Sequence, residues 1–228
     1  MDLDKAITVL TDCIRCGHCT AVCPKEAISV IGFEKGQIEK TEKVRLDTDV
    51  VLNTIRFRRS IRNFKKTEIP KEIIEQILEA GRLTHTAKNM QDVSFVVLNS
   101  EKDRMEKMAV KMFRAVKPFA DLFSQVARNN EINDSFFFFN APVVIVIMAK
   151  NEANGVLAAQ NMEFVAETYG LGVLYSGFFT TAANISRKIR KALAISKGKK
   201  IAMTLVLGYP NVKYLRSAPR KELDVRYM

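Results

Sequence analysis

The apolar residues of this 228-residue chain fall into stretches with helical spacing and stretches without it. Pro70 is a favourable residue at a helix start, and Ile73, Ile74, Ile77 and Leu78 after it would share one helical face. The pattern therefore predicts an amphipathic helix over KEIIEQILEAGRL, residues 71–83.

Three further stretches have the same spacing and predict helices. They are RMEKMAVKMFRAV with Met105, Met108, Met112 and Val116 on one face, VLAAQNMEFVAETYGLG ending at Gly170, and ISRKIRKALAI with Ile185, Ile189 and Leu193 in line. Methionine fills irregular gaps in a core, so we interpret the methionine stripe as core and not as a set of ligands.

Short, continuous apolar runs predict strands between these helices. The runs are SFVVL at 94–98, APVVIVIMA at 141–149 and KIAMTLVLGYP at 200–210. A run as apolar as 141–149 is typical of a strand that is buried on both faces. Helices that alternate with core strands predict a layered α+β or α/β domain.

Residues 34–49, EKGQIEKTEKVRLDTD, are polar and charged and predict a short hairpin or linker. We place a domain boundary there, with a first segment over 1–46 and a larger domain over 47–228. The apolar runs are too short for a membrane helix, and the acidic start MDLDKAITVL is unlike a secretory signal. These features predict a cytoplasmic protein without a membrane partner.

The net charge of +11 lies entirely in residues 47–228, which hold 29 basic and 18 acidic side chains. A surface of this kind can attract nucleic acid. No nucleic-acid-binding motif accompanies the charge, so we interpret it as a solvated basic surface together with a pocket for an anionic phosphate.

All four cysteines lie in DCIRCGHCTAVCPKEAISV, residues 12–30, with the spacing C-x2-C-x2-C-x3-C-P. This spacing is used by bacterial ferredoxins to hold [4Fe–4S] clusters, whereas zinc ribbons use two separated pairs. Crowded cysteines in a reducing compartment favour metal ligands over disulfides. We expect a [4Fe–4S] cluster in this ferredoxin-like segment, bound by Cys13, Cys16, Cys19 and Cys23.

The run occurs only once in the sequence, which leaves the fourth ligand open. In two-cluster ferredoxins the fourth cysteine of a run binds the other cluster. Cys23, expected on the first turn of a short helix, would bind the cluster of its own chain or that of a partner chain; alternatively, no intact cluster forms. We interpret His18 as a polar loop residue and not as a substitute ligand.

The stretch FRRSIRNFKK, residues 57–66, places three arginines and a serine around Ile61. On an extended segment Arg58, Ser60 and Arg62 would lie on one side, where guanidinium and hydroxyl groups match a phosphate. The sequence has no Walker motif and no G-x-G-x-x-G, and GLGVLYSG at 170–177 has the wrong spacing. A dinucleotide-binding Rossmann domain is therefore not expected.

From about residue 50 onward the sequence resembles the nitroreductase family of FMN flavoproteins. The resemblance lies in RRSIRNFKKTEIPKEIIEQILEAGRLTHTAKNMQDVSFVVL, then NAPVVIVI, QNMEFVAETYGLGVLYSG and the closing LGYP and APRK, in family order. It implies an α+β fold with a central, mainly antiparallel sheet flanked by helices. It also implies an FMN cofactor and an intertwined homodimer with FMN at the interface.

The resemblance assigns contacts with three parts of the cofactor. Contacts with the phosphate, the ribityl chain and the ring edge would come from Arg58, Arg59, Ser60, Arg62 and, for the phosphate, Arg220. Contacts with the ribityl chain and ring from the partner's side would come from Thr86, Ala87, Asn89 and Gln91. Backbone N–H groups for flavin N5 and O4 would come from Ser176 and Gly177. No protein catalytic residue is implied, because the flavin carries the chemistry.

The loop around residues 85–93 departs from the family pattern, and two features of the sequence, His85 and the run Phe136–Phe139, have two interpretations each. Where the family often has Pro-Ser-Ala and Gln-Pro-Trp, this chain has 85–87 as His-Thr-Ala and 91–93 as Gln-Asp-Val, so the substrate is not predicted. We interpret His85 as a supporting polar residue, with a proton donor as the alternative. The run Phe136–Phe139 is expected as a packed helix end or dimer contact, with an aromatic substrate wall as the alternative.

The predicted function is that of an FMN-dependent oxidoreductase that reduces a small organic acceptor, such as a nitro, quinone or enone compound. Its electrons would pass through the [4Fe–4S] cluster from a donor such as ferredoxin, or would come from NAD(P)H. The alternative is a non-catalytic redox sensor or electron-transfer module. An open pocket over the flavin favours the enzyme, and a flavin face covered by Phe136–Phe139 or the C-terminal arm favours the sensor.

Overall fold

The computed structural model describes residues 12–33, 38–40, 42 and 45–228. The chain divides into two units, of which the first comprises 1–45 and 86–91 and the second comprises 46–85 and 92–228. The loop 86–91 therefore belongs to the same unit as the cysteines. The domain boundary after residue 46 stays a prediction. The acidic start 1–11 and part of the predicted linker lie outside the described residues.

The second unit is built on a four-stranded sheet in the described part of the chain. Its strand order is β1-β2-β4-β3, and each neighbouring pair is antiparallel. The strands are β1 Ser94–Leu98, β2 Val143–Ala149, β3 Gly172–Tyr175 and β4 Lys200–Gly208. The expected α+β fold with a central antiparallel sheet flanked by helices is confirmed.

The helices of the described residues precede, connect and follow these strands. They are α1 His18–Ala21, α2 Thr48–Phe57, α3 Lys71–Arg82, α4 Lys102–Phe123, α5 Gln125–Arg128, α6 Glu152–Thr168, α7 Gly177–Ile185 and α8 Arg187–Ala192. None of the helices in this part of the chain is long and apolar enough to cross a membrane.

The sheet is covered by helices on both faces. Strand β2 is buried along its whole length, and its alternate residues point to opposite faces, as in any strand. Val144 and Val146 belong to a core cluster with residues of α4 and α7, and Ile145 and Ile147 belong to a second cluster with residues of α3 and α6. The predicted strand that is buried on both faces is therefore present at the centre of the sheet.

Helix α2 overlaps the end of the predicted linker and the start of the arginine segment, and no element was predicted for the residues between them, 50–56. It begins after Asp47, whose side chain accepts a hydrogen bond from the Val50 N–H over 2.9 Å. Asp is a preferred N-cap residue because it satisfies a free N–H of the first turn. No residue of α2 is buried in the chain. Its apolar residues therefore do not pack in the core, and their spacing did not stand out as a core-facing helix.

The predicted helix over ISRKIRKALAI is two helices in the structure. Ser186 ends α7 and caps α8, because its hydroxyl accepts a hydrogen bond from the Ile189 N–H over 3.3 Å. Ile189 and Leu193 are buried as expected, whereas Ile185 belongs to the preceding helix and is exposed. The cap, which competes with helix continuation, explains the difference.

The phenylalanine run 136–139 packs against the core. Phe137 and Phe138 are buried, and each has its ring within 6.0 Å of the Phe179 ring centroid. Phe136 and Phe139 are partly buried against the same cluster. The burial of Phe137 and Phe138 agrees with the packing interpretation, while the dimer contact and the substrate wall stay predictions for Phe136 and Phe139.

Candidate cofactor sites

The arginine segment between α2 and α3 is attached to the edge strand β3. Ser60 forms an isolated parallel bridge with Val173, and the Ile61 N–H donates to the Val173 carbonyl over 3.1 Å. Ile61 is buried, and a Cβ at Gly172 would lie only 2.4 Å from its Cγ1. The close approach therefore requires glycine at 172. It fixes the position of the neighbouring arginines.

A cavity of about 430 Å³ lies beside this segment. It is lined by residues of α2, the arginine segment, the end of α6, Gly170–Gly172 and the stretch after Pro210. Its charged lining residues are Arg58, Arg59, Lys213 and Glu167. Three cations and one acid give the cavity a net positive lining, which favours an anionic ligand.

Arg59 has a hydrogen-bonding group without a partner in this cavity. Its Nη2 donates to the Arg216 carbonyl over 3.1 Å, and its guanidinium lies 5.6 Å from the centre of the Tyr214 ring. Its Nε is buried and has no hydrogen-bond partner among the described residues. A buried donor without a partner is costly, so a bound phosphate oxygen would relieve that cost. The cavity thus fits a phosphate group.

Arg58 is held by a buried carboxylate on α6. Its Nη1 lies 2.9 Å from Glu163 Oε2, as an ion pair that is not aligned as a hydrogen bond. The Tyr175 hydroxyl donates to the same Glu163 oxygen over 2.7 Å. Burial raises the pKa of Glu163, although these two partners oppose the shift, and burial together with Glu163 raises the pKa of Tyr175. Burial and the Glu163 carboxylate also raise the pKa of Glu167.

The other residues expected at the phosphate lie outside this cavity lining. Ser60 and Arg62 are exposed, and Arg220 lies on the exposed C-terminal segment that follows β4. The structure therefore brings Arg58 and Arg59 together at one cavity and does not bring the other three to it.

The two amides expected to face the flavin differ in their engagement. The Ser176 N–H donates to the Thr204 carbonyl over 2.9 Å, and the Ser176 hydroxyl donates to the Phe137 carbonyl over 3.0 Å. Gly177 begins α7, where helical N–H groups lack a partner in the helix, and a Cβ there would meet nothing within 4 Å. The Ser176 N–H thus already has a partner within the chain, and the flavin contacts of Ser176 and Gly177 stay a prediction.

The four cysteines lie in the first unit and are free thiols. Gly17, with a φ of 74°, starts the four-residue helix α1, which carries Cys19. Cys23 comes after the C-cap Val22, so the short helix precedes this cysteine, contrary to the expectation that Cys23 would lie on its first turn.

Backbone N–H groups lie near two of the thiols. The Arg15 N–H donates to Cys13 Sγ over 3.4 Å. The N–H groups of Ala27 and Lys25, followed by those of the two residues 28 and 26, lower the pKa of the Cys23 thiol. N–H donors stabilise thiolates, and hydrogen bonds to sulfur are a normal part of iron–sulfur sites.

In the described part of the chain, no three Cys, His, Asp or Glu side chains are close enough together to hold a metal ion. A [4Fe–4S] cluster binds each thiolate to a different iron and so does not require four sulfurs around one ion. The set of four thiols, with N–H donors on two of them, fits a cluster by its chemistry.

The loop 86–91 contains four residues that were expected to contact FMN, and it belongs to the unit with the cysteines. Asn89 Nδ2 donates to the carbonyls of Ile14 and Arg15 over 3.2 and 2.8 Å. The Gln91 N–H donates to the Thr86 hydroxyl over 2.9 Å, which closes the loop. The FMN contacts of Thr86, Ala87, Asn89 and Gln91 stay a prediction.

Sequence reasoning missed several residues that build these sites. Glu163 is the clearest, and its signal was a single carboxylate among the apolar residues of NMEFVA. Asp92, in the stretch 91–93 that departs from the family pattern, is buried and accepts hydrogen bonds from the Lys150 and Asn151 N–H groups and from Asn154 Nδ2. It therefore anchors the start of α6.

Comparison with known proteins assigns the family. Residues 55–209 match the model of the nitroreductase family, which is more than half of the chain. The chain therefore belongs to the nitroreductase family. Residues 7–29 match the model of a 4Fe-4S binding domain, in agreement with the cysteine spacing.

Solved structures share the fold at low sequence identity. A nitroreductase with bound FMN from Bacteroides fragilis has a TM-score of 0.64 and 20% identity, and the match covers 78% of this chain and 98% of that one. An FMN-dependent nitroreductase from Clostridium difficile has a TM-score of 0.63 and 18% identity, with coverage of 79% and 100%.

An NADPH-dependent oxidoreductase of Staphylococcus saprophyticus is 27% identical over 169 residues. The match covers 70% of this chain and 64% of that relative, so this chain spans less than two thirds of the relative's length.

Proposed function

We propose that the chain is an FMN-dependent oxidoreductase that reduces a small organic acceptor, such as a nitro, quinone or enone compound. The family and the FMN named for the related structures support the cofactor. The observation that carries the proposal is the buried Arg59 Nε, which lacks a partner at a cavity that also contains Arg58 and Lys213. FMN, when bound, transfers electrons between a donor and the acceptor.

The residues of the chain would bind and orient the cofactor. Arg59 would donate to the phosphate, and Arg58, held by Glu163, would supply a second cation of fixed position. The Gly177 N–H at the start of α7 would face the flavin ring, where a helix N-terminus stabilises negative charge. Ser60, Arg62 and Arg220 remain candidates for ribityl and phosphate contacts.

The cysteine segment would hold a [4Fe–4S] cluster that receives electrons from a one-electron donor such as ferredoxin. NAD(P)H is the alternative donor, and the name of the Staphylococcus saprophyticus relative supports it. The match of residues 7–29 to a 4Fe-4S binding domain supports the cluster.

We further propose a homodimer. Large apolar side chains are exposed on α2 and on the second half of α4, among them Val50, Phe57, Phe119 and Phe123. Large apolar side chains that are exposed along a helix mark a candidate interaction site. A second copy of the chain would cover these helices.

FMN retention tests the cavity. Arg59→Ala should weaken FMN binding by about one to two decades, because a charge-assisted hydrogen bond contributes about 1.5–3 kcal/mol. Arg82→Ala is the matched control, because Arg82 is exposed and contacts Glu79 within α3. FMN would be titrated into both apoproteins and followed by its fluorescence. Equal affinities in the two variants would refute the phosphate site.

The electron donor is tested at the cysteine segment. Cys16→Ala should abolish turnover with reduced ferredoxin and leave reduction of FMN by dithionite intact. Turnover with NADPH in the same variant would assign the nicotinamide as a direct donor to the flavin. Ferredoxin-driven turnover at the wild-type rate would show that the cluster is not the entry point.

The phenylalanine run does not cover the cavity beside Arg59, whereas Lys213 and Tyr214 of the C-terminal arm line it, so turnover distinguishes the enzyme from the sensor. Phe137 and Phe138 are buried in the core, and no residue of the run lines the cavity beside Arg59. Steady-state reduction of a nitroaromatic, a quinone and an enone would identify the acceptor class. A protein that binds FMN and turns over none of them with either donor would favour the sensor.

A further inference from the structure

Asn89 contacts the backbone of the cysteine run through a single side-chain amide. Its Nδ2 donates to the Ile14 carbonyl over 3.2 Å and to the Arg15 carbonyl over 2.8 Å. These two carbonyls lie between Cys13 and Cys16, in the middle of the first two-residue spacer. Both contacts lie within one unit of the structure.

The loop that carries Asn89 is shaped for this contact. Lys88, Asn89 and Gln91 have φ values of 52°, 50° and 43°, in the left-handed region that Asn tolerates better than most residues. The Asn89 N–H donates to the Thr86 carbonyl over 3.0 Å, and Asn89 Oδ1 accepts from Gln91 Nε2 over 3.3 Å. The amide is therefore oriented from within its own loop.

The contact determines where the N–H groups of the spacer point. In a planar trans peptide the C=O and the N–H point in opposite directions. With the Ile14 carbonyl bound to Asn89, the Arg15 N–H points away from Asn89, and it donates to Cys13 Sγ over 3.4 Å. The same geometry, applied to the Arg15 carbonyl, turns the Cys16 N–H away from Asn89 as well.

We propose that Asn89 is a positioning residue for the iron–sulfur loop, because its amide holds the two carbonyls between Cys13 and Cys16 and so directs the Arg15 N–H toward Cys13 Sγ. The inference rests on the proposed [4Fe–4S] cluster. It differs from the role as a flavin contact that the family resemblance assigns to this asparagine. Hydrogen bonds to sulfur affect both cluster retention and reduction potential, so both should depend on Asn89.

The test uses two glycine variants of the same loop in the full-length chain. Asn89→Gly keeps the left-handed backbone without strain and removes only the amide. Lys88→Gly is the matched control, because its φ is nearly the same and no contact of its side chain is described in the structure. Both variants and the wild type would be purified anaerobically, and iron, sulfide and FMN per chain would be measured.

Asn89→Gly should release iron to a ferrous chelator about tenfold faster than the wild type, as expected for the loss of two hydrogen bonds. Its cluster should also have a lower reduction potential in a titration followed by electron paramagnetic resonance. Lys88→Gly should match the wild type in both measurements.

Two outcomes would overturn the inference, and they are distinguishable. If the wild type holds a cluster and Asn89→Gly matches it in release rate and potential, Asn89 does not position the iron–sulfur loop; selective loss of FMN would then assign Asn89 to the flavin. If the wild type contains neither iron nor sulfide, the proposed cluster itself is wrong, and the inference fails with it.

Discussion

Glu163 Oε2 lies 2.9 Å from Arg58 Nη1, so the first arginine of the FRRS segment is held against helix α6 by a buried carboxylate. The Tyr175 hydroxyl donates to the same oxygen, and Tyr175 directly precedes Ser176 and Gly177. One carboxylate thus connects the arginine segment, helix α6 and the end of strand β3. Arg58 already has an internal counter-charge, which leaves Arg59 as the clearer candidate for the phosphate.

Removal of the Glu163 charge should destabilise the protein. Glu163→Gln leaves the Arg58 guanidinium without a counter-ion, and loss of one partner of a buried pair costs about 3–5 kcal/mol. The Arg58 side chain is 22% exposed, so solvent screening reduces this cost, and relief of the burial that raises the Glu163 pKa offsets part of the rest; we therefore expect about 1–2 kcal/mol. Urea unfolding of the apoprotein measures the loss.

Glu167→Gln is the control for Glu163, because Glu167 lies one turn further along α6 and has no ion pair in the structure described here. It should change the unfolding free energy by less than about 1 kcal/mol. Equal losses in the two variants would show that the ion pair does not stabilise the fold.

Asp92 should stabilise the start of α6 in a pH-dependent way. Burial raises its pKa, but the hydrogen bonds from Asn151, Asn154 and Lys150 more than offset burial, so the pKa lies below its ordinary value of 3.8. Asp92→Ala should cost about 3 kcal/mol at neutral pH, because three hydrogen bonds to a carboxylate are lost.

The pKa of Asp92 is lower in the folded state than in the unfolded state. Its contribution to the folding stability is therefore complete at pH values above the unfolded-state pKa and is lost as pH falls through the folded-state pKa. The difference in unfolding free energy between the wild type and Asp92→Asn should therefore be constant near neutral pH and shrink below about pH 4. A difference that is unchanged at acidic pH would contradict the lowered pKa.

The contribution of Glu106 to folding stability should depend on pH in the opposite direction to that of Asp92. It is buried in α4, and its Oε1 accepts hydrogen bonds from the Phe137 and Phe138 N–H groups over 2.9 and 2.8 Å. Burial raises its pKa above 4.5, although the two N–H groups oppose this shift. Folding therefore favours the protonated form of Glu106. The stability that protonation contributes is lost as pH rises through the folded-state pKa of Glu106.

Glu106→Gln removes that titration and keeps an oxygen for both N–H groups. Relative to the wild type, the variant should gain stability as pH rises from about 4.5 toward neutrality. Urea unfolding at several pH values measures the difference. A difference that stays constant or falls with pH would contradict a raised pKa.

Local patterns were sufficient to predict the strands β1, β2 and β4 and the helix after Pro70, because their apolar residues face the core clusters, but strand β3 was not predicted, since its four residues are too short to show a pattern. They were not sufficient for helix α2, whose apolar residues have no buried partner in the chain, or for the helix break at Ser186, where a side-chain cap competes with helix continuation. The arginine segment was predicted as an anion site from its composition, and two of its arginines line a positively charged cavity.

Contacts between distant positions could not be predicted from spacing. Asn89 binds carbonyls 74 and 75 positions away, and Glu163 pairs with Arg58 across a comparable separation. No periodicity relates such residues, because tertiary packing alone brings them together. The sequence could therefore indicate that Asn89 and Arg58 bind a cofactor, but it could not indicate that protein groups already contact them.

In the proposed homodimer, the four cysteine ligands of the iron–sulfur cluster could come from one chain or from two. Cys19 lies in α1 and Cys23 directly follows its C-cap Val22, so all four cysteines fall within residues 13–23 of one chain. This short separation favours ligation of one cluster by all four cysteines of one chain. In the proposed homodimer the alternative is that Cys23 binds the cluster of the partner chain.

Heterodimers of two variants, purified with two different affinity tags, distinguish these arrangements. One chain would carry Cys23→Ala, and the other would carry Cys13→Ala, Cys16→Ala and Cys19→Ala. Local ligation leaves neither chain with four ligands, so we expect no intact cluster by iron, sulfide and electron paramagnetic resonance, while FMN content stays that of the wild type. One full [4Fe–4S] cluster per heterodimer would contradict local ligation, because it can form only if Cys23 of one chain completes the site of the other.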